Sequence, residues 1–298
     1  MRPLAPAAVE DISPALRGAL WMIAAATCFS VMITLVRLAS RTLPVSEIAF
    51  FRNLFGLLVM VPWLVREGRR ALATRRPWLH LLRGALALAA MLCWFYTLSV
   101  MPLAEATAFS FTAPVFATLL AVPVLGERLV PARIAAVALA FVGALVILRP
   151  GLRGLQPAAL VALFTAVVWG TSTIVVKILA RTESAAAIVT WMVLFTTPAS
   201  LLVALPAWRT PGPDELLVLA LLGAAGSAGH YCMSRALRLA DAGFVAPFDY
   251  LRLPLVALFA WLVFGQRPDA WTWAGAALIA AGGILVARSG ARRGAPVT

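Results

Sequence analysis

The chain has 298 residues, of which 62% are apolar and 12% charged, against about 25% charged in an ordinary soluble domain. A soluble fold of this length cannot hide so much apolar surface, so the surrounding solvent must be lipid. The formal net charge of +13 invites a nucleic-acid footprint, but the basic residues are strung along the chain at the ends of apolar runs rather than gathered into one patch, which excludes that reading.

In chain order, residues 1–16 (MRPLAPAAVEDISPAL) are rich in proline and alanine and read as a disordered tail. Ten apolar runs of about 20 residues follow, each long enough to cross a bilayer. They lie near 18–37, 45–65, 79–100, 103–124, 131–148, 156–178, 185–206, 215–238, 242–264 and 270–287, with a short tail at 289–298. The first run is no signal peptide, because it continues to Val36 and has a counterpart deep inside the chain. The 66–83 segment, REGRRALATRRPWLHLLR, is the most basic connection, and His80 beside Trp78 reads there as an interfacial residue. With the N-terminus inside, that loop, Arg2, Arg17, Arg128, Arg133, Lys177, Arg181, Arg235, Arg238, Arg288, Arg292 and Arg293 share one side. Only Arg37, Arg41, Arg149, Arg153, Arg209 and Arg267 fall on the other. This bias predicts two cytoplasmic termini, and the basic surface suits anionic lipid.

The chain also repeats itself. Tyr96 to Pro150 overlies Arg235 to Ser289 at an offset of 139, matching Phe109 to Phe248, Gly126 to Gly265, Arg128 to Arg267 and Arg149 to Arg288. Upstream, the segment from Gly18 overlies the one from Ala158 at an offset of 140. Two units result, 17–150 and 151–288. Each holds five spans, an odd number, so the second must be inverted relative to the first. Inverted repeats place a substrate site near the midplane, where the halves meet and rock. The expected fold is therefore an all-α integral membrane protein of ten transmembrane helices in two inverted five-helix repeats.

Charged side chains inside spans are costly unless paired or wet, so they mark candidate sites. Asp249 and Arg252 stand three apart on one helical face. They serve either as a cavity lining that takes up a proton or as an ion pair locking helices together. Arg52 lies in the second span, Glu105 at the outer start of the fourth, and His230-Tyr231 near the middle of the eighth. Arg52, Glu105 and Asp249 are the coupling or ion-pair candidates. Trp94 and Tyr96 end the third span, Trp169 sits midway along the sixth, and Phe248 and Tyr250 flank Asp249, which offers stacking surfaces for a flat substrate. Pro114 in the fourth span and Pro247 and Pro254 in the ninth should bend their helices, as hinges or as packing devices. Cys28, Cys93 and Cys232 all fall within spans without metal-ligand spacing, so no disulfide framework or zinc site is expected. No phosphate-binding loop exists to drive a nucleotide-dependent pump.

The run TAPVFATLLAVPVLGERLVPARIAAVALAFVGALVIL resembles the end of an EamA repeat of the drug/metabolite transporter superfamily. APFDYLRLPLVALFAWLVFGQRPDAWTWAGAALIAAGGILVAR is similar, although Gln266 replaces the glutamate common at that place. Arg52 matches an arginine often found after aromatic or small residues in the second helix. The resemblance implies an inner-membrane carrier in which helices one, three, four, six, eight and nine surround a central cavity, with five and ten peripheral. Placed on this chain, the cavity candidates are Trp94, Tyr96, Ser110, Trp169, His230, Tyr231, Phe248, Asp249, Tyr250 and Arg252. The resemblance implies a secondary transporter working by alternating access, without cofactor, as a monomer or homodimer. The first expectation for its substrate is an amino acid or related compound, exported. The alternative is a nucleoside-derived or flavin metabolite such as S-adenosylmethionine or riboflavin. A lipid-modifying membrane enzyme is the rival class, but no Asp-rich motif or paired acid and histidine supports it.

Overall fold

The protein is described from a computed structural model, over residues 14–67, 74–126, 131–149, 156–179, 181–183, 185–239 and 246–291. Six α-helices form the first half: α1 (Pro14–Ala39), α2 (Val45–Glu67), α3 (Pro77–Val100), α4 (Leu103–Ser110), α5 (Ala113–Leu125) and α6 (Pro131–Leu148). The second half holds α7 (Pro157–Leu179), α8 (Ala185–Ala204), α9 (Pro213–Leu239), α10 (Arg252–Phe264) and α11 (Ala270–Ala291), with a 3-10 segment over Ala246–Leu251 leading into α10. There is no strand among the described residues. Proline opens α1, α3, α6, α7 and α9, where its missing N–H costs no hydrogen bond and its fixed φ suits the first helical turn. The expected tail up to residue 13 lies outside the described residues.

Among the described residues, six segments are long and apolar enough to cross a membrane: Leu16–Ala39, Pro77–Val100, Leu103–Leu125, Pro157–Leu179, Ala187–Ala207 and Pro213–Ala236. The protein is a multi-pass membrane protein. Its fourth span departs from the sequence expectation. In place of one helix bent around Pro114, α4 stops at Ser110, Phe111 and Thr112 form a turn, and α5 restarts at Ala113. Pro114 is thus the second residue of a new helix, and Pro254 likewise falls in the first turn of α10. A proline there breaks nothing. The interruption lies just upstream, where the Phe111 and Thr112 amides bond the carbonyls of Ala108 (3.1 Å) and Phe109 (3.0 Å), three residues back. Hydroxyls add bonds to carbonyls of the same segment: Thr107 donates to Leu103, Ser110 to Thr107 and Thr112 to Phe109, each at 2.7 Å. Lipid offers no water to do this, so side chains must.

The second copy reproduces the helix after the break. Both α5 and α10 have 13 residues and stand at the offset of 139. Each ends on a left-handed glycine, Gly126 (φ 70°) and Gly265 (φ 68°), a conformation only glycine adopts without strain.

The principal helix pairings are unchanged when the halves are exchanged. α1 packs on α9 and α3 on α7; α2 packs on α8 and α6 on α11; α5 packs on α7 and α10 on α1. In a membrane such contacts rest on close backbone approach rather than on a hydrophobic drive. A Cβ at Gly143 would stand 2.6 Å from the Gly275 carbonyl, and one at Gly275 2.5 Å from the Gly143 carbonyl, so α6 and α11 touch through bare backbone. Carboxylates staple the halves reciprocally as well. Glu47, at the start of α2, accepts the Arg209 amide ahead of α9. Glu183, ahead of α8, accepts from the Thr74 hydroxyl (3.0 Å) and the Arg75 amide (3.1 Å) ahead of α3. His80, beneath the 66–83 connection, is buried rather than facing outward: it is 1% exposed, 4.0 Å from Glu183, and stacked on Trp191.

Candidate functional site

The interrupted segment ahead of α10 builds the centre of the site. Its short 3-10 stretch turns Asp249 and Tyr250 inward, and Arg252 opens the following helix. The Arg252 guanidinium donates to Asp249 Oδ2 at 2.9 Å, so the spacing-based pairing is made. Both side chains remain partly accessible, at 18% and 30%. The same guanidinium lies over the Phe111 ring (4.8 Å) and reaches Phe29 (5.9 Å). Cation–π contacts of this kind hold an arginine in apolar surroundings without a second anion. Phe111 meets Tyr250 edge-on at 4.8 Å.

From Phe29 the site continues to His230, whose ring meets Phe29 edge-on at 5.0 Å. His230 Nε2 lies 3.1 Å from Arg52 Nη2. Arg52 Nη1 donates to Asn53 Oδ1 (3.2 Å), and Asn53 Nδ2 donates to Ser200 Oγ (3.2 Å) on α8. Asp249, Arg252, Phe29, His230 and Arg52 thus form one continuous chain across α10, α1, α9 and α2. His230 is exposed midway along a 27-residue helix, with the Arg52 guanidinium of α2 and the Phe29 ring of α1 against its imidazole. A second aromatic pair, Trp94 with Trp169, joins α3 to α7 at 5.4 Å. Close by in sequence on the same two helices, Arg83 donates to Ser172 at 2.7 Å.

Other candidates lie elsewhere. Tyr231 points away from His230 and meets Trp21 edge-on at 5.9 Å, where Arg235 also lies over the indole. Tyr96 is 42% exposed. Ser110 is buried, its hydroxyl spent on Thr107. Phe248 packs against the main core beside Asp249. Glu105 lines a separate cavity of about 380 Å³ with Arg37, Pro102, Gln266, Arg267 and Asp269, so it does not share a site with Asp249. Nothing is described of the Pro114 and Pro247 side chains, and Pro254 is exposed.

Just outside the spans, Asp269 accepts from Arg149, from the Thr272 amide and from the Thr272 hydroxyl. Partial burial pushes this carboxyl up, but those hydrogen bonds and the Arg149 charge outweigh it and hold it down at about 2.

Sequence reasoning missed Phe29, Phe111, Arg83 and Asn53. Two of these had a signal: Phe29 overlies Trp169 at offset 140, and Phe111 overlies Tyr250 at offset 139. An aromatic in one repeat could have been looked for in the other.

An all-helical bundle whose halves exchange without changing their pairings, wrapped about an aromatic and cationic interior, defines a membrane carrier. The chain belongs to the EamA-like transporter family, whose profile matches residues 16–149 and again 156–288. A riboflavin transporter of Rhizobium johnstonii is 37% identical over 96% of this chain and 95% of its own. An S-adenosylmethionine uptake transporter of Rickettsia prowazekii is 33% identical over 89% of this chain and 90% of its own. A solved crystal structure at 20% identity superposes with a TM-score of 0.64, covering 93% of this chain and 99% of that one, which shows the fold. The protein is a transporter of a small metabolite, not an enzyme.

Proposed function

We propose that this chain is a bacterial inner-membrane carrier that takes up a flat, polar heteroaromatic metabolite, riboflavin before others, by alternating access. Ten spanning helices in two inverted units, 17–150 and 151–288, with both termini cytoplasmic, form its frame. The observation that carries this reading is the surplus of arginine around paired aromatic rings. Arg252 pairs with Asp249 beside the Phe111–Tyr250 rings, Arg52 meets His230, and Arg83 bridges α3 and α7, the two helices that carry the Trp94–Trp169 pair. Stacking rings hold a planar ring system, and guanidinium groups donate to its carbonyl oxygens. S-adenosylmethionine carries a sulfonium cation, which these arginines repel, so the charge balance favours the flavin. The amino-acid and export expectations find no support in the names of the two relatives above, whereas the alternative reading does.

Counterflow in proteoliposomes tests this. Vesicles preloaded with riboflavin should take up labelled riboflavin and leave it chemically unchanged, while labelled S-adenosylmethionine and amino acids stay outside. Exchange of S-adenosylmethionine without riboflavin would overturn the substrate assignment. Exchange confined to amino acids would restore the first expectation.

A further inference from the structure

Arg52 carries its charge on α2 against neutral groups. It donates to Asn53 Oδ1 at 3.2 Å and meets His230 Nε2 at 3.1 Å. A guanidinium carries five N–H donors, and two are used here. Because the guanidinium is only a donor, the 3.1 Å contact requires Nε2 of His230 to accept, which fixes the imidazole as neutral with its proton on Nδ1. The site therefore holds a donor and an acceptor side by side in an accessible space, with Phe29 standing edge-on to the imidazole.

The surroundings are shaped for this pair. On α9, a Cβ at Gly226 would lie 3.0 Å from Met32 Sδ and 3.6 Å from Arg52 Nε. A Cβ at Gly229 would lie 2.8 Å from Phe29 Cε1. Two glycines one turn apart thus leave room for Arg52 to cross from α2 and for Phe29 to close against His230. Asn53 is anchored in turn by Ser200 at 3.2 Å and by the Thr196 carbonyl, so the guanidinium is held from behind rather than free to swing.

We infer that Arg52 and His230 together read the imide edge of the substrate, the C(=O)–NH–C(=O) face of a flavin's dioxopyrimidine ring. Bound substrate replaces the Arg52–His230 hydrogen bond by two complementary ones. Arg52 Nη2 donates to an imide carbonyl, and His230 Nε2 accepts the imide N–H. The free protein satisfies both groups internally, so neither stands unpaired in the membrane while the site is empty. A ligand offering only acceptors would use Arg52 and leave Nε2 of His230 unsatisfied. A cationic ligand would meet repulsion from Arg52. This assignment rests on the flavin reading and sharpens it to a recognition point.

The test uses the full-length protein in liposomes with two probes, riboflavin and riboflavin methylated on its imide nitrogen. The wild type should exchange riboflavin about tenfold or more faster than the methylated form, because a site built around a hydrogen bond rejects the analogue lacking it. His230→Ala, which removes the acceptor and opens space, should bring the two rates within about twofold of each other. His230→Gln, which keeps an acceptor, should retain much of the preference and guards against an alanine variant that fails to fold. Arg52→Lys, which keeps the charge but loses the planar fork, should slow both flavins alike. If the wild type exchanges both flavins equally, or His230→Ala discriminates as well as wild type, the recognition point is overturned while the flavin reading stands. If the wild type exchanges neither flavin, the flavin reading falls and this assignment with it.

Discussion

The two copies share the helix that follows the break and differ in the chemistry that stands at it. At the break of the first repeat stand Ser110, Phe111 and Ala113; at the equivalent places of the second stand Asp249, Tyr250 and Arg252. Both lead into 13-residue helices that end on left-handed glycines. One break is closed by hydroxyls that return to their own helix; the other carries an ion pair with part of its surface accessible. The geometry of a helix interruption is therefore separable from the charge placed on it. Duplication supplied the first twice, and only one copy took on the second.

The comparison can be broken most severely on its charged side. Asp249→Ala leaves Arg252 without its anion, and removing one partner of a paired intramembrane charge costs about 3 kcal/mol at full burial, less here because the pair is partly wet. Transport should fall more than about tenfold, and thermal unfolding of the detergent-solubilised protein should drop measurably. The milder Asp249→Asn should lower transport while leaving folding intact; unaltered flux would reduce Asp249 to a structural partner of Arg252. Second in size is the bare helix contact. Gly143→Val pushes a side chain into the Gly275 carbonyl and should cost about 1–3 kcal/mol, read as a lower melting temperature with the substrate preference unchanged.

A third change sharpens the comparison from the uncharged side. Ser110→Ala removes a hydroxyl bonded only within α4, so transport should stay within about twofold of wild type and stability within about 1 kcal/mol. A large loss there would mean that the first break binds substrate as the second is proposed to. The smallest effect belongs to Asp269. Its carboxyl is held at about 2, below the ordinary value of about 3.9, so the contact with Arg149 and Thr272 stabilises fully above the unfolded value. That contribution is lost as pH falls through the range from about 4 to 2. Wild type should exceed Asp269→Asn in stability by about 0.5 kcal/mol at pH 7, and the gap should close when both are unfolded near the acid end. A gap that widened at low pH would refute the assignment.

What could be read in the sequence were features repeated or spaced along one element. The Asp249–Arg252 pair follows from three-residue spacing, the helix starts from proline, the matching helix ends from Gly126 and Gly265. The break at Phe111 was misjudged because Pro114 is visible in the sequence while the hydroxyls that close the break gain meaning only with their carbonyl partners. Glu105 was grouped with Asp249 and Arg52 as a coupling or ion-pair candidate; the packing of α4 against α10 and α11 places it in a cavity with Arg37, Gln266 and Asp269 instead. Arg83 was counted as a topology signal in a basic loop, yet it runs along α3 to Ser172. His80 was set at the interface beside Trp78, but contacts from the other half bury it. The last three depend on partners more than eighty residues away.

The Gly143–Gly275 contact also bears on how the chain is made. α6 completes the first half, and its glycine face fits one partner, α11, which emerges from the ribosome only after nearly half the chain has followed. During synthesis α6 must wait in the bilayer with that face toward lipid or toward the insertion machinery. A fragment cut after residue 149 would carry α6 with that partner missing, so supplying the second half as a separate polypeptide should protect the first from membrane proteases.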